Sequence, residues 1–362
     1  MGVDTSGPRD LPRGNPEQMT QPALHVGVNL NNRDALLSET YDLQALLELA
    51  ERAEAVGLDS VWVGDSLFSK PRWESLTLLA ALSQRTTRVQ LGTACLVVPL
   101  RDPVSLALAW ATVDQLSGGR TIMGACAGNV EDGVRKEFEA LGLDFRTRTS
   151  RLEEALQVLR SLLRDGRVTF HGRHFQLDDV SFDSGTERRP LAPARQPPIW
   201  VVSNPRIAGR TGSQTGTRSV ETPERRVVKY GDGWMTCCRA THPEEVREFR
   251  ARLEGAAEEL SLPPVHNVAY QVTVNVNTST DRAEDEFRHY ISAYYPEFGP
   301  QVNLPDWGPA GTADDIAAWM RTFVDAGMTH ALVRFASFNQ EEQLSRFAEE
   351  VLPQLADLRR DG

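Results

Sequence analysis

The chain has 362 residues, 40% hydrophobic and 25% charged, with a formal net charge of −11. This is a soluble globular composition with enough apolar residues for a large core, and it excludes fibrous and collagenous classes. The acidic balance, with no basic face in sight, argues against nucleic acid as a partner, and no apolar run approaches the roughly 20 residues that span a bilayer.

Residues 1–23, "MGVDTSGPRDLPRGNPEQMTQPA", are rich in Pro and Gly and carry no apolar core of a secretory signal. Disorder there and a cytoplasmic location are expected. The apolar run "LHVGVNL" (24–30) predicts a buried strand, and the pattern from Tyr41 to Val56 a helix stopped by Gly57. "SVWVGDS" (60–66) is a second strand, "ESLTLLAALSQRT" (74–86) a helix, and "RVQLGTACLVV" (88–98) a third strand. In "DPVSLALAWATVDQLSGGR", Pro103 suits a first helical turn and Gly118-Gly119 a helix end. "TIMGACA" follows as the fourth strand.

Farther on, "RLEEALQVLRSLLRDG" (151–166) is an amphipathic helix and "VTFHGRHFQLDDVSF" a hairpin turning at Gly172-Arg173. "PPIWVVSN" (197–204), "GDGWMTC" (231–237), "NVAYQVTVNVN" (267–277) and "HALVRFAS" (330–337) supply strands five to eight, with "PEEVREFRARLEGAAEEL" and "ADDIAAWMRTFVDAG" as helices between them. Strands apolar on both faces and separated by helices are parallel. The expected fold is α/β, a (β/α)8 TIM-type barrel with insertion loops, one domain over 24–358; a doubly wound sheet is the alternative. Segments 181–196 and 205–226 break the rhythm and are expected to be insertions that shape a site entrance.

The glycines of "LSGGRTIMGACAGN" (116–129) fit neither a dinucleotide fingerprint nor a P-loop: the spacing is GxxxG on a fourth strand, and no Lys-Ser/Thr pair follows. What they offer is a strand end with few side chains, where a flat ligand can approach the backbone.

"SVWVGDS", "LGTACLVVPLRDPVSLALAWATVDQLSGGRTIMGACAG", "EFEALGLDFRTRTSRLEEALQVL", "VTFHGRHFQL", "PIWVVSN", "GDGWMT" and "AGMTHALVRF", in that order, resemble the bacterial luciferase-like flavin- and F420-dependent oxidoreductases. The resemblance runs from about Leu24 to Leu355 and implies a TIM-type barrel. It implies a flavin or deazaflavin ring over the ends of the early strands, beside Asp65 and Ser66, Ala94 and Cys95, and Ala127, Gly128 and Asn129. Many relatives have a non-proline cis peptide at the position of Ala94-Cys95. Several carry Asp-His where this chain has Asp65-Ser66, which leaves Ser66 as the hydrogen-bonding candidate there.

Some members have an arginine for cofactor phosphate where Ala127 stands, and others use two glycines where Ser203 and Asn204 stand. Phosphate contacts therefore fall to Ser203, Asn204, Thr236, Cys237 and Arg334. Cys126 reads as an inert buried thiol, since no basic residue adjoins it. The four cysteines carry no CxxC or disulfide pattern. His171 and His174 lack a third metal ligand nearby, and Asp232 of "GDGW" reads as structural.

The implied reaction is monooxygenation by reduced FMN and O₂, with FMN reduced by a separate flavin reductase, on a small organic substrate. Hydride transfer with F420 is the alternative; it suits the GC-rich, actinobacterial codon usage suggested by only three lysines among 39 basic residues. A cofactor-less, non-catalytic barrel is the third reading. A homodimer is expected from the family.

Overall fold

In the computed structural model, described over residues 23–33, 37, 42–182, 195–204, 221–237, 242–296 and 303–359, the apolar runs form eight parallel strands. They are β1 His25–Leu30, β2 Ser60–Val63, β3 Gln90–Thr93, β4 Thr121–Cys126, β5 Ile199–Val202, β6 Gly233–Cys237, β7 Asn267–Val276 and β8 His330–Phe335. Each pairs with the next, and β8 returns to β1 with His25 opposite His330, which closes the sheet into a (β/α)8 barrel. Closure leaves no barrel edge open to another chain.

Strand alternation sorts the side chains. Val26, Val28 and Leu30 of β1 face the helices, whereas Trp62, Ile122, Trp200, Met235, Ala269 and Leu332 form an inner apolar cluster. Trp62 and Trp200 stack with centroids 5.3 Å apart. Glycines make the room: a Cβ on Gly92 would lie 2.2 Å from the Trp62 ring, and one on Gly233 2.4 Å from Trp200. The barrel is thus plugged by two indoles rather than open as a pore. Below them the rings of His25 and His330 stack at 4.7 Å. Burial, then repulsion from His25, pushes the His330 pKa down to about 3.

The helices follow local chemistry. In α3 (Pro103–Ser117), the Asp102 side chain caps the amides of Val104 and Ser105, and Gly118 ends the helix at φ 72°. The helix expected at 243–260 is found as Pro243–Leu260. Four described helices were not expected: α4 (Asp132–Ala140), α6 (Pro223–Tyr230), α8 (Thr280–Tyr294) and a last one, Gln340–Arg346. The first two join a strand to the next in the barrel rhythm, whereas α8 is an addition. It follows β7 and packs Phe287, Tyr290, Ile291 and Tyr294 against Leu304, Trp307 and Ala336, over the C-terminal end of β8.

Other expectations need correction. The segment 205–226 is not all insertion, because Thr222 caps α6 and the Arg226 side chain meets buried Glu153 at 2.9 Å. Residues 205–220 and 183–194, and the N-terminal residues 1–22, lie outside the described residues. The hairpin (Arg167–His171 with Gln176–Ser181) turns through four residues, closed by the Gly172 amide donating to the Phe175 carbonyl at 2.9 Å, and not at Gly172-Arg173 alone. The expected third strand divides into β3 and a short strand Leu96–Val97 that pairs with the end of β4. The ends of the barrel meet beneath it: the Leu24 amide donates to the Leu358 carbonyl at 2.8 Å, and Arg359 reaches Asp59 at 3.1 Å. No described helix is long and apolar enough to cross a membrane.

Candidate active site

The C-terminal strand ends form a mouth with two unlike walls. On the side of β2 to β4, the peptide Ala94–Cys95 is cis. Around it stand Ala94, Cys95, Cys126, Ala127 and Gly128, all buried or half-buried. Gly128 has φ 81°, and a Cβ there would come within 3.0 Å of Val134. A Cβ on Gly124 would lie 2.0 Å from the Thr93 carbonyl oxygen and 2.9 Å from Met235. These residues leave a smooth ledge above the indole plug.

Asp65 is fully engaged. Arg101 grips its carboxylate with Nη1 to Oδ2 at 2.7 Å and Nη2 to Oδ1 at 2.8 Å, while the Val97 amide and the Ser75 hydroxyl donate to it as well. Its side chain is 3% exposed. Asp65 therefore ties the loop after β3 to the end of β2. The Ser66 hydroxyl donates to Glu137 Oε1 at 2.7 Å and accepts the Lys70 amide at 3.0 Å. The same Glu137 oxygen also takes the amides of Phe68 and Ser69, and its Oε2 is buried without a partner. Arg72 lies over Gly64 on the rim: a Cβ on that glycine would meet its Nη1 at 2.0 Å.

The opposite wall is polar. Asn29 on β1 shares the inward face with Gly27, whose Cβ would meet Trp62, and Asn31 stands just past the strand's end; Thr273 and Asn275 share the inward face of β7 with Ala269. All four are buried. The Asn31 amide nitrogen donates to the Phe335 carbonyl and that of Asn275 to the Ala336 carbonyl, each at 3.0 Å, so the two amides flank one stretch of chain. The side-chain oxygens of Asn29, Asn31 and Asn275 are buried with no partner. Arg334, inward on β8, donates to Thr273 Oγ1 at 3.0 Å and to the Tyr295 hydroxyl at 2.9 Å. Tyr295 lies just past α8, and Lys70 reaches across the rim to within 4.6 Å of its ring centroid.

The remaining expected residues are placed as follows. Asn129 is exposed, and its side-chain oxygen accepts the Glu131 amide at 3.1 Å. Thr236 donates to Asn204 Oδ1 at 3.0 Å, which brings the ends of β5 and β6 together. Ser203 is buried, and its carbonyl accepts from Trp234 Nε1 at 2.6 Å. Cys237 ends β6, but its side chain and Cys238 lie outside the described residues. Asp232 accepts the Ile199 amide and pairs with Arg160. No group of three metal-ligating side chains occurs among the described residues, and His174 meets Ser150 instead.

Sequence reading missed Asn29, Asn31, Asn275, Arg72, Glu137 and Tyr295. Asn29 and Asn275 were legible as polar letters inside "HVGVNL" and "VTVNVN", runs that otherwise predict apolar strands, and Asn31 directly follows the first run.

A closed parallel barrel with its polar and small residues gathered at the strand C-termini defines a TIM-barrel protein with its site where that fold places one. The chain belongs to the luciferase-like monooxygenase family, whose model matches residues 24–330, and it is an oxidoreductase. An F420-dependent glucose-6-phosphate dehydrogenase of Amycolatopsis mediterranei is 26% identical over 350 residues, covering 89% of this chain and 97% of that protein. Among solved structures, an F420-dependent secondary alcohol dehydrogenase in complex with an F420-acetone adduct superposes with a TM-score of 0.71 at 22% identity, covering 94% of this chain and 100% of the other. The monooxygenase RslO1 from Streptomyces bottropensis superposes with a TM-score of 0.72 at 19% identity, covering 91% and 99%.

Proposed function

We propose that the chain is an F420-dependent oxidoreductase that interconverts an alcohol and a carbonyl on a small polar substrate. The observation that carries this reading is the F420-dependent relative that matches 89% of the chain. It favours hydride transfer over the FMN monooxygenase that the sequence first suggests. A separate flavin reductase is then unnecessary.

The residues present fit a flat tricyclic ring. The ledge of Ala94, Cys95, Cys126, Ala127 and Gly128 offers little side chain, and at Gly124 any side chain would collide with backbone. When bound, the deazaflavin supplies or accepts a hydride, chemistry that no side chain can provide. Trp62 and Trp200 close the floor beneath it and exclude water from below. Asp65 and Arg101 hold the loop that carries the ledge. Ser66 meets the ring as a hydrogen-bond acceptor, because its proton is committed to Glu137. Asn204 and Thr236 take the phosphate end, and the polar wall takes the substrate.

Titration of the protein with F420, FMN and anaerobic FMNH₂, followed by tryptophan fluorescence, tests this. Preferential F420 binding and oxygen-independent turnover of glucose 6-phosphate or 2-propanol are expected. Preferential FMNH₂ binding with substrate-dependent oxygen uptake would restore the monooxygenase, and binding of none would leave a non-catalytic barrel.

A further inference from the structure

We infer that Arg33 and Arg72, from the loops after β1 and β2, hold an oxyanion of the substrate, a carboxylate or phosphate; the inference deepens the hydride-transfer reading and rests on it. The place is made by a missing side chain. Along β2, Val61 and Val63 pack outward into the main core and Trp62 packs inward, so the next residue, Gly64, presents its bare face to the mouth. Arg72 Nη1 lies 2.0 Å from the point that a Cβ would occupy there, and its Cζ 3.3 Å. A guanidinium thus stands where a side chain at the end of β2 would project. The Ala94 amide donates to the Val63 carbonyl at 2.8 Å, which continues the β2–β3 ladder and sets this position beside the first residue of the ledge.

Cations gather on this side of the mouth. Arg33 Nη1 donates to the Tyr294 carbonyl at 2.7 Å and its Cζ lies 4.9 Å from the centre of that ring, with Arg334 Cζ 5.3 Å from the same centre. Lys70 lies over the adjoining Tyr295 ring, and its carbonyl accepts from Arg72 Nε at 3.2 Å. Other cations nearby are matched by carboxylates: Lys70 meets Glu131 and Arg101 meets Asp65, each at 2.7 Å. Arg33 and Arg72 are half-buried, and neither forms an ion pair with a described carboxylate. Ring faces and carbonyl oxygens attract a cation without cancelling its charge. In a chain with a formal charge of −11, two such guanidiniums in one recess define a site for an anion from outside the chain.

The anion belongs to the substrate. The phosphate end of the cofactor is taken by Asn204 and Thr236 at the ends of β5 and β6, across the closed barrel from β1 and β2. The planar fork of a guanidinium matches two oxygens of a carboxylate or a phosphate. Beside it, β1 and the residue after it carry the unpartnered oxygens of Asn29 and Asn31, acceptors that repel an anion and suit hydroxyls. The substrate class is therefore a hydroxylated acid, anionic at the end held by Arg72 and bearing its alcohol or carbonyl elsewhere.

Glucose, gluconate and glucose 6-phosphate share a carbon skeleton and differ in charge, so calorimetry of the F420-loaded protein with these three tests the site. At least one of the two anions should bind about tenfold or more tighter than glucose, with a preference that shrinks as NaCl is raised; the tighter of the two tells phosphate from carboxylate. Arg72→Gln should bring that preference to within threefold of unity while F420 affinity, read by tryptophan fluorescence, stays within threefold of wild type. Arg33→Gln should reduce the preference as well. Failure of both anions to bind, a wild-type preference below threefold, or one that survives Arg72→Gln unchanged would overturn the assignment. Failure of the wild type to bind F420 would instead remove the hydride-transfer reading, and the same three titrations on the cofactor-free protein would then decide the anion site by themselves.

Discussion

The two walls of the mouth are built on opposite rules. From β2 to β4 the chain subtracts side chain, with Ala94, Ala127, Gly124 and Gly128, and Asp65, the carboxylate at the end of β2, is locked in Arg101. From β7 round to β1 it adds polar side chains and leaves three carboxamide oxygens unsatisfied in the interior. A buried acceptor without a donor costs roughly 1–3 kcal/mol, so the second wall, with three such oxygens against the single Glu137 Oε2 behind the first, gives up more stability. The difference teaches which wall awaits hydrogen bonds from a ligand and which awaits only shape.

The strongest way to break this contrast is Arg334→Met. It should lower kcat/KM about 100-fold or more, with F420 affinity within threefold; an equal loss of both would merge the walls into one. Gly124→Ala should give the reverse signature. Its Cβ would stand 2.0 Å from the Thr93 carbonyl, so the thermal midpoint should fall by an amount equivalent to about 1–3 kcal/mol and F420 binding should weaken more than KM for substrate changes.

Asn29→Leu is a gentler probe. Steady-state kinetics should show KM rising about tenfold, roughly one lost hydrogen bond, while the melting temperature holds or rises because an unmet acceptor has gone. A drop in stability would mean that Asn29 holds the fold and not a ligand. Below both walls, His330 serves as a control. Its pKa is about 3 in the folded barrel against about 6.5 unfolded, so its contribution is complete above pH 6.5 and is lost as pH falls toward 3. Denaturant titrations should show stability falling by at most about 1.4 kcal/mol per pH unit there, and His330→Phe should flatten that limb.

The barrel was legible because its strands are apolar on both faces, a pattern that parallel sheets between helices produce and few other folds do. The helix Pro243–Leu260 could be read to the residue because proline opens it and its periodicity is strong. Helix α6 escaped because eight residues with four charges give little apolar signal, and α8 because nothing in a βα rhythm announces an extra helix. The ring-side wall came from resemblance, through "GTACLVV" and "GACAG". The polar wall did not, since inward and outward faces of a buried strand cannot be told apart until the barrel closes and assigns them. Tyr295 illustrates the limit most sharply: it meets Arg334 across 39 positions of chain, through a helix that was not foreseen.

The bond between Leu24 and Leu358 has a practical corollary. It brings the two ends of the barrel together on the face opposite the mouth, so a short linker can join them and new ends can be opened elsewhere. A circular permutant, or a copy tethered to a surface by this seam, would present the mouth outward with every wall residue in its original place.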